Sequence, residues 1–420
     1  MKDSKKTVVP KLRFPGFDEP WSIDPLSKTL TEHKLKNTNA RDVFSVSMES
    51  GIVNQVEHLG RSFAASDTAH YNLGRRFDLV YTKSPLKAFP FGIVKQCKFD
   101  GEVALSPLYG VFTPVNPHAG LMIEAYFESP NRSAAFLSPL CQKGAKNTIQ
   151  ITNTVFLSGC LPLPIEPAEQ KKIADCLSSL DELIAIQGRK VEALKTYTRG
   201  LMQLLFPRPG ETLPRLRFPE FRNAPEWEPT TLDGLVRLKS GGTPSKANPE
   251  FWNGSIPWVS AKDMKRLFLD DSEDHISVTA VNNGATLVPG GTVLMLTRGM
   301  TLLKDVPICV LRREMSFNQD VKALIPKGDT YSLFVAHLLL GNKQRLLKMV
   351  DIAGHGTGKL NTDALNALKL AVPTPTEQQR IADFFSSLDA QIATEIDKLA
   401  AFKSHKNGLM QQLFPSLEEK

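Results

Sequence analysis

The stretch Gly354-His355-Gly356-Thr357-Gly358-Lys359-Leu360 has the makings of a phosphate loop: glycines that let backbone N–H groups approach an anion, and a lysine to supply charge. Its spacing does not fit. Three residues separate Gly354 from Gly358, and Leu360 stands where a Ser or Thr is required. The stretch therefore reads as a backbone loop near a ligand, or as a turn. No Gly-x-Gly-x-x-Gly or His-Glu-x-x-His pattern occurs, nor an Asn-Pro-Pro-Tyr type of motif, and no acidic cluster with a trailing lysine stands out. His70, His118, His275 and His355 are scattered. Cys97, Cys141, Cys160, Cys176 and Cys309 form no Cys-x-x-Cys pair and are odd in number, which argues against a zinc site or a disulfide framework. The sequence thus predicts no catalytic residue and no metal ligand, and points to recognition or scaffolding.

Recognition residues are easier to find. The segment Leu238-Lys239-Ser240-Gly241-Gly242-Thr243-Pro244-Ser245-Lys246 is basic, glycine-rich and hydroxyl-bearing. Glycine admits close backbone approach, while Lys, Ser and Thr donate to phosphate oxygens. Lys239, Ser240, Gly241, Thr243 and Lys246 are therefore candidate nucleic-acid contacts. Further donors are Lys262, Arg298, Lys304, Asn318, Gln319 and Lys359, and in the first half Arg75, Arg76, Lys83, Lys87, Lys95, Lys143 and Lys146. Arg matches guanine edges, and Asn or Gln matches adenine. A net charge of +7 agrees with a polyanionic partner.

The elements that position these residues are set by repetition. Residues 167–207 recur at 375–415 with a constant offset and no gap, roughly half the positions being identical. A shorter repeat matches Lys11-Leu12-Arg13-Phe14-Pro15 to Arg215-Leu216-Arg217-Phe218-Pro219, each followed by a tryptophan, Trp21 and Trp227. Each long copy reads as one helix. Pro167 and Pro375 start it, Glu169 and Glu377 complement the dipole of the first turn, and Pro207 and Pro415 close it. Some 37 residues make a rod of roughly 55 Å. Its apolar positions follow a heptad: Ile173, Leu177, Leu180, Ile184, Val191, Leu194, Leu201 and Leu205 in the first copy, and Ile381, Phe385, Leu388, Ile392, Leu399, Phe402, Leu409 and Leu413 in the second. The two helices are expected to pair as an antiparallel coiled coil.

Polar residues interrupt the seam at Gln187, Thr198, Glu395 and Lys406. Full overlap would pair Ile173 with Leu413. A slide of one heptad would set Gln187 against Lys406 and Thr198 against Glu395, and polar matching favours that slid register.

The expected organisation is a tail over residues 1–10, a variable domain over 11–165, a helix over 166–207, a second variable domain over 208–372, a helix over 373–415 and a tail over 416–420. The variable regions differ in detail, and both carry short β-type runs such as Asp78-Leu79-Val80-Tyr81-Thr82 and Val293-Leu294-Met295-Leu296-Thr297. Short helices are expected over 126–140 and 331–350. The fold class is α+β, two modules of irregular strands plus helices separated by the long helices, with a pseudo-twofold repeat. Hydrophobic content of 41% suits a globular protein. The longest apolar runs fall short of the ~20 residues of a membrane span, and the N-terminus lacks a signal-peptide core. A cytoplasmic protein is expected.

These residues resemble the specificity subunit of type I restriction–modification systems. The most telling are Lys239-Ser240-Gly241-Gly242-Thr243-Pro244, Ile256-Pro257-Trp258-Val259-Ser260-Ala261-Lys262-Asp263-Met264, Thr297-Arg298-Gly299, Phe317-Asn318-Gln319-Asp320 and the Pro-x-Glu-Gln-x-x-Ile-Ala start of both helices. The first half resembles another type of the same module through Tyr71, Asp78-Leu79-Val80-Tyr81 and Ser106-Pro107-Leu108-Tyr109. The resemblance implies two target recognition domains, each reading half of an asymmetric, bipartite target in double-stranded DNA. It implies helices that set the spacing, and a chain that catalyses nothing and binds no cofactor itself. Two modification subunits would bring S-adenosylmethionine for adenine N6 methylation. Two restriction subunits would use ATP and Mg2+. The alternatives are a fused or stand-alone restriction or methyltransferase enzyme with an unrecognised site, and a scaffold that binds no DNA.

Overall fold

The computed structural model describes residues 6–143, 149–352 and 356–415, with backbone alone at residues 142, 143, 149 and 150. It divides into two compact units: Met1–Ile186 with Lys398–Lys420, and Gln187–Asp397.

The first unit begins with strands β1 (Thr7–Val8), β2 (Trp21–Pro25), β3 (Leu30–Glu32), β4 (Val43–Ser47) and β5 (Gly51–Asn54), then helix α1 (Gln55–Leu59). Strands β6 (Asn72–Arg75), β7 (Leu79–Tyr81), β8 (Val94–Gln96), β9 (Glu102–Leu105) and β10 (Gly110–Pro114) follow, then helices α2 (Pro117–Phe127) and α3 (Pro130–Leu137). The hairpin β11 (Gln142–Lys143) and β12 (Ile149–Gln150), helix α4 (Asn153–Ser158) and β13 (Cys160–Leu163) lead into α5 (Pro167–Leu205). The antiparallel sheet β3-β10-β7-β8 forms one layer, and β5-β4-β9-β6 another, in which β4 and β9 run parallel. Trp21, Tyr81, Phe112, Phe127 and Phe156 form the core together with Ile173 and Leu177 of α5.

The second unit continues with β14 (Glu228–Thr231), α6 (Leu232–Leu235), β15 (Val236–Ser240), β16 (Ile256–Val259), β17 (Phe268–Leu269) and β18 (Asp274–Ile276). Next come α7 (Val278–Asn282), β19 (Leu287–Val288), β20 (Val293–Leu296), β21 (Arg298–Gly299), β22 (Ile308–Leu311), β23 (Met315–Phe317) and β24 (Val321–Pro326). It closes with α8 (Ser332–Gly341), α9 (Lys343–Lys348), β25 (Val350–Ile352), β26 (Gly358–Leu360), α10 (Thr362–Asn366), β27 (Lys369–Val372) and α11 (Pro375–Leu413). Its sheets are β15-β24-β20-β22-β17 and β18-β16-β23-β19, again with a parallel pair, β16 and β23, at the centre. Trp227, Phe206, Phe334 and Phe385 anchor its core.

Read in chain order, β3, β4, β5, α1 and β6–β10 correspond to β15, β16, β18, α7, β19, β20, β22, β23 and β24. The variable regions that differ in sequence therefore share the topology of these two sheets, to which the second adds β17 and the sheet β21-β26-β25. The expected helix over 126–140 is two helices, because Asn116 caps α2 at Ala119 N and Ser129 with Pro130 starts a new one at α3. Residues 331–350 likewise divide into α8 and α9.

The Glu-Gln pair that opens each long helix ties it to its unit. Glu169 receives a bidentate fork from Arg13 (2.7 and 2.8 Å), and Glu377 one from Arg217 (2.8 and 2.6 Å). Both carboxylates are almost fully buried. Gln170 donates to Pro164 O (2.9 Å) and accepts from Asn116 (3.0 Å). Gln378 donates to Pro373 O (3.0 Å) and accepts from Tyr331 N (3.0 Å). The leaders are equivalent too: Leu12 N bonds Gln412 O (3.0 Å), and Leu216 N bonds Leu204 O (2.9 Å).

The slid register is not observed. In the second unit Gln187 Nε2 donates to Glu395 O (2.9 Å) and Oε2 (2.7 Å), while Lys190 Nζ meets Glu395 Oε1 (2.9 Å). In the first unit Lys406 Nζ bonds Asp181 (2.6 Å) and Glu128 (2.7 Å). These pairs fit the unslid register. The expected polar pairs do not form because Gln187 matches Glu395 across the seam, while Lys406 finds Asp181 and Glu128 beside it.

Candidate nucleic-acid interface

In the second unit, β15 ends at Ser240 and turns against the β23–β24 connection. A Cβ on Gly241 would stand 2.2 Å from Asn318 O and 2.3 Å from Phe317 O. Glycine is thus required here for two protein backbones to touch. Gly242 N donates to Phe317 O (2.9 Å), and Trp258 Nε1 to Gly242 O (2.9 Å). The Thr243 hydroxyl donates to Gln319 Oε1, and Lys322 Nζ to Ser240 Oγ (2.5 Å). On the other flank, Thr297 N (2.8 Å) and Arg298 N (3.2 Å) both donate to Asp320 O. Arg298 lies opposite Lys359 across β21 and β26. One continuous edge therefore carries Ser240, Thr243, Arg298, Gln319, Lys322 and Lys359. Of these all but Lys322, which is half-buried, are exposed.

The other expected residues of this unit differ. Asn318 is buried. Its N–H donates to Val259 O (2.9 Å) and its Oδ1 accepts from Asp320 N (3.1 Å), so it shapes the turn that presents Gln319. Lys239, Lys246 and Lys304 are exposed. Lys262 is exposed but paired with Asp274 (2.9 Å) and Glu273 (3.2 Å), and the Asp274 hydrogen bond raises its pKa. Gly358-Lys359-Leu360 is strand, not loop, and Gly354 and His355 lie outside the described residues.

Topology locates the corresponding edge of the first unit: the end of β3, the β9–β10 turn and the segment after β7. Lys36 Nζ bonds Asn72 Oδ1 (2.7 Å), whose Nδ2 holds Ser106 O (3.3 Å) and Tyr109 O (3.0 Å). Lys34, Lys36 and Leu108 are exposed there. Lys83 follows β7 as Arg298 follows β20. Burial lowers the pKa of its ammonium, against the pull of Glu32. Lys87 is exposed nearby in sequence. Arg75 and Arg76 belong elsewhere. Arg75 pairs with Glu102 at the end of β6 away from Asn72, about 10 Å along the strand. Arg76 meets Asp100 (3.0 Å). Lys95 is not at the surface: it is buried against Glu128 (3.2 Å) and Glu124 (3.5 Å). Lys146 lies outside the described residues, as does the side chain of Lys143.

Sequence reasoning passed over Lys34, Lys36 and Lys322. Lys322 lies on a strand between buried Val321 and Ala323, and that single polar position between apolar neighbours carried the signal. Lys34 and Lys36 follow a three-residue strand that no pattern marks. Among the described residues no group of three or more His, Cys, Asp or Glu is placed to hold a metal ion. Among them, too, no helix is long and apolar enough to cross a membrane.

Residues 225–402 match the model of the type I restriction modification DNA specificity domain. The chain is 31% identical over 238 residues to the EcoR124I/EcoR124II type I restriction enzyme specificity subunit of Escherichia coli, an alignment covering 54% of this chain and 55% of that protein. The chain thus spans about half the length of this curated relative. In fold it is similar to the type I restriction–modification S subunit from M. genitalium, with a TM-score of 0.60 at 14% identity, covering 98% of this chain and 100% of that one. A chain from a study of complex assembly and conformational transition in a type I system matches with a TM-score of 0.53 at 15% identity, covering 96% and 99%. The resemblance read in the sequence is thereby borne out: residues 225–402 match the type I restriction modification DNA specificity domain, and the chain is similar in sequence and in fold to specificity subunits of type I systems.

Proposed function

We propose that the chain is the non-catalytic DNA-recognition subunit of a type I restriction–modification complex, each unit reading one half of an asymmetric bipartite target. The observation that carries this is one topology built twice, with different donors on the same edge. Arg298, Gln319, Lys322 and Lys359 occupy it in one unit, and Lys34, Lys36 and Lys83 in the other. Equivalent scaffolds with unlike reading edges suit a target whose halves differ. Arg supplies paired donors and Gln a donor with an acceptor for bidentate discrimination of bases, and lysines supply charge toward phosphates.

On this reading α5 and α11 set the spacing of the half-sites and dock two modification subunits. Those subunits bind S-adenosylmethionine and flip an adenine out of the duplex for N6 methylation. Restriction subunits, where the system has them, use ATP and Mg2+. The study of complex assembly that yielded one similar structure supports an assembling role.

Mapping N6-methylated adenines in the source genome with and without this gene tests the proposal. Loss of methylation at one split motif is the expected result. Methyl transfer or cleavage by the isolated chain would favour a stand-alone enzyme instead. Absence of salt-dependent affinity for duplex DNA, even with modification subunits present, would refute DNA recognition altogether.

A further inference from the structure

In the second unit, the last turns of α5 and the corner between α8 and α9 enclose a groove. Two clefts, of ≈410 and ≈550 Å³, share Met202, Gln203, Gly341 and Gln344 on their walls and so run into one another. From Glu192 to Phe206 the α5 wall extends about 21 Å. A Cβ on Gly341 would stand 2.8 Å from the Phe206 ring, so glycine lets the end of α8 close on α5. Met202, Leu340 and Ile392 make the walls partly apolar. Leu204, exposed at the mouth, is joined to exposed Leu216 through Leu216 N and Leu204 O (2.9 Å).

Arg199, Arg208, Arg215 and Arg345 stand around this groove. Among the described residues none of the four is paired with a carboxylate. Arg199 Nη2 donates to Thr196 Oγ1 (3.1 Å), and Arg345 Nη1 to Asn342 Oδ1 (2.9 Å). Burial lowers the pKa of Arg345, with no acid to offset it. The lysines on the walls are already satisfied, Lys195 by Glu192 (2.8 Å) and Lys343 by Asp305. The other acid there, Asp389, has its carboxyl raised to about 7 by burial. The buried Thr198 hydroxyl, on the wall of the smaller cleft, has no partner among the described residues. Uncompensated arginines beside apolar walls are completed by a chain that carries carboxylates, which the guanidinium fork matches bidentately. A DNA backbone has no apolar group to fill such clefts, whereas arginine among apolar neighbours is the composition of a protein interface.

The first unit lacks this rim. Lys406, at the place of Thr198, is bonded to Asp181 (2.6 Å) and Glu128 (2.7 Å). A cleft beside Phe414 (≈570 Å³) has Arg132 as its one cation among the described residues. Arg132 is already bonded to Met410 O (2.8 Å) and stacked on Phe414.

Resting on the proposed assembly with two modification subunits, we infer that the groove seats an acidic segment of one of them. Its carboxylates meet the arginine rim and an apolar side chain lies against Met202 and Ile392. The first unit holds its modification subunit by other contacts, so the two docking sites are unequal.

Arg208→Glu combined with Arg215→Glu tests this in the full-length chain mixed with purified modification subunits. Neither side chain makes a bond among the described residues, so the fold should persist, with an unchanged urea midpoint by tryptophan emission. Native mass measurement should show one modification subunit per variant chain instead of two. The second should bind about a hundredfold more weakly, and added salt should weaken that step in wild type alone. A photo-cross-linker at Gln203 in the otherwise wild-type chain should capture an Asp- and Glu-rich peptide of the modification subunit. A variant that takes two modification subunits with wild-type affinity would overturn the inference. So would a Gln203 cross-link to DNA, to a peptide without acids, or to nothing. A wild-type chain that binds no modification subunit would instead refute the assembly on which the inference rests.

Discussion

Replacing Asp389 by Asn should raise the stability of the second unit at alkaline pH and make it acid-sensitive. Asp389 occupies the position on α11 that Asp181 holds on α5. Asp181 receives the Lys406 ammonium, but the residue equivalent to Lys406 is Thr198. Asp389 Oδ2, the Thr198 hydroxyl and both ring nitrogens of His337 have no hydrogen-bond partner among the described residues, and His337 Nε2 is 3.8 Å from Asp389 Oδ2. A cleft of ≈410 Å³ borders Asp389 and Thr198, with Glu192, Lys195, Arg199 and Lys343 around it. Lys195 is paired with Glu192 and Lys343 with Asp305, so neither is committed to Asp389. Burial raises the Asp389 carboxyl from 3.8 to about 7 and lowers His337 from 6.5 to about 4.

The two shifts act in opposite senses. A carboxyl whose folded pKa is raised contributes stability below pH 3.8 that is lost as pH rises to about 7, up to about 4 kcal/mol. An imidazole whose folded pKa is lowered contributes stability above pH 6.5 that is lost as pH falls to about 4, up to about 3 kcal/mol. In wild type these two contributions cancel between about pH 4 and 6.5. In Asp389→Asn only the His337 slope survives, and the variant exceeds wild type by up to about 4 kcal/mol at pH 8. Urea unfolding followed by tryptophan emission reads this, because Trp227, Trp252 and Trp258 belong to the second unit and only Trp21 to the first. A variant with the wild-type pH profile, or one less stable at pH 8, would refute the reasoning.

Arg217→Met leaves Glu377 buried without its fork and should cost about 3–5 kcal/mol in urea unfolding, with Glu377→Gln in the same chain restoring part of it. Lys406→Met should destabilise the first unit at neutral pH and make its stability fall less steeply in acid. Burial pushes Glu128 up, yet Lys95 and Lys406 outweigh it and hold that carboxyl below its usual range; without Lys406 it protonates at higher pH on titration. Gly241→Ala forces a Cβ onto two carbonyl oxygens and should cost about 1–3 kcal/mol by denaturation. Lys95→Ala should lower stability with little change in DNA affinity, whereas Lys246→Ala should lower affinity uniformly across sequences in a salt-titrated binding assay and leave stability unchanged.

The sequence by itself determined the two long helices, the doubled leader and the helix-opening Glu-Gln pair. Helical periodicity, end prolines and repetition are local signals, legible without the rest of the chain. Three things waited for the tertiary structure. The register showed only in the contacts: Gln187 turns to Glu395, another seam residue, and Lys406 to Asp181 and Glu128, partners that heptad spacing does not contain. The availability of each cation depended on its acid neighbours, which left Lys359 on an open edge and sank Lys95 between Glu124 and Glu128. The shared topology of the two variable regions was hidden because strand order rests on backbone hydrogen bonds between distant segments. Any sequence with buried positions in the right places can make them, so two modules could diverge in almost every exposed residue and still present the same edge.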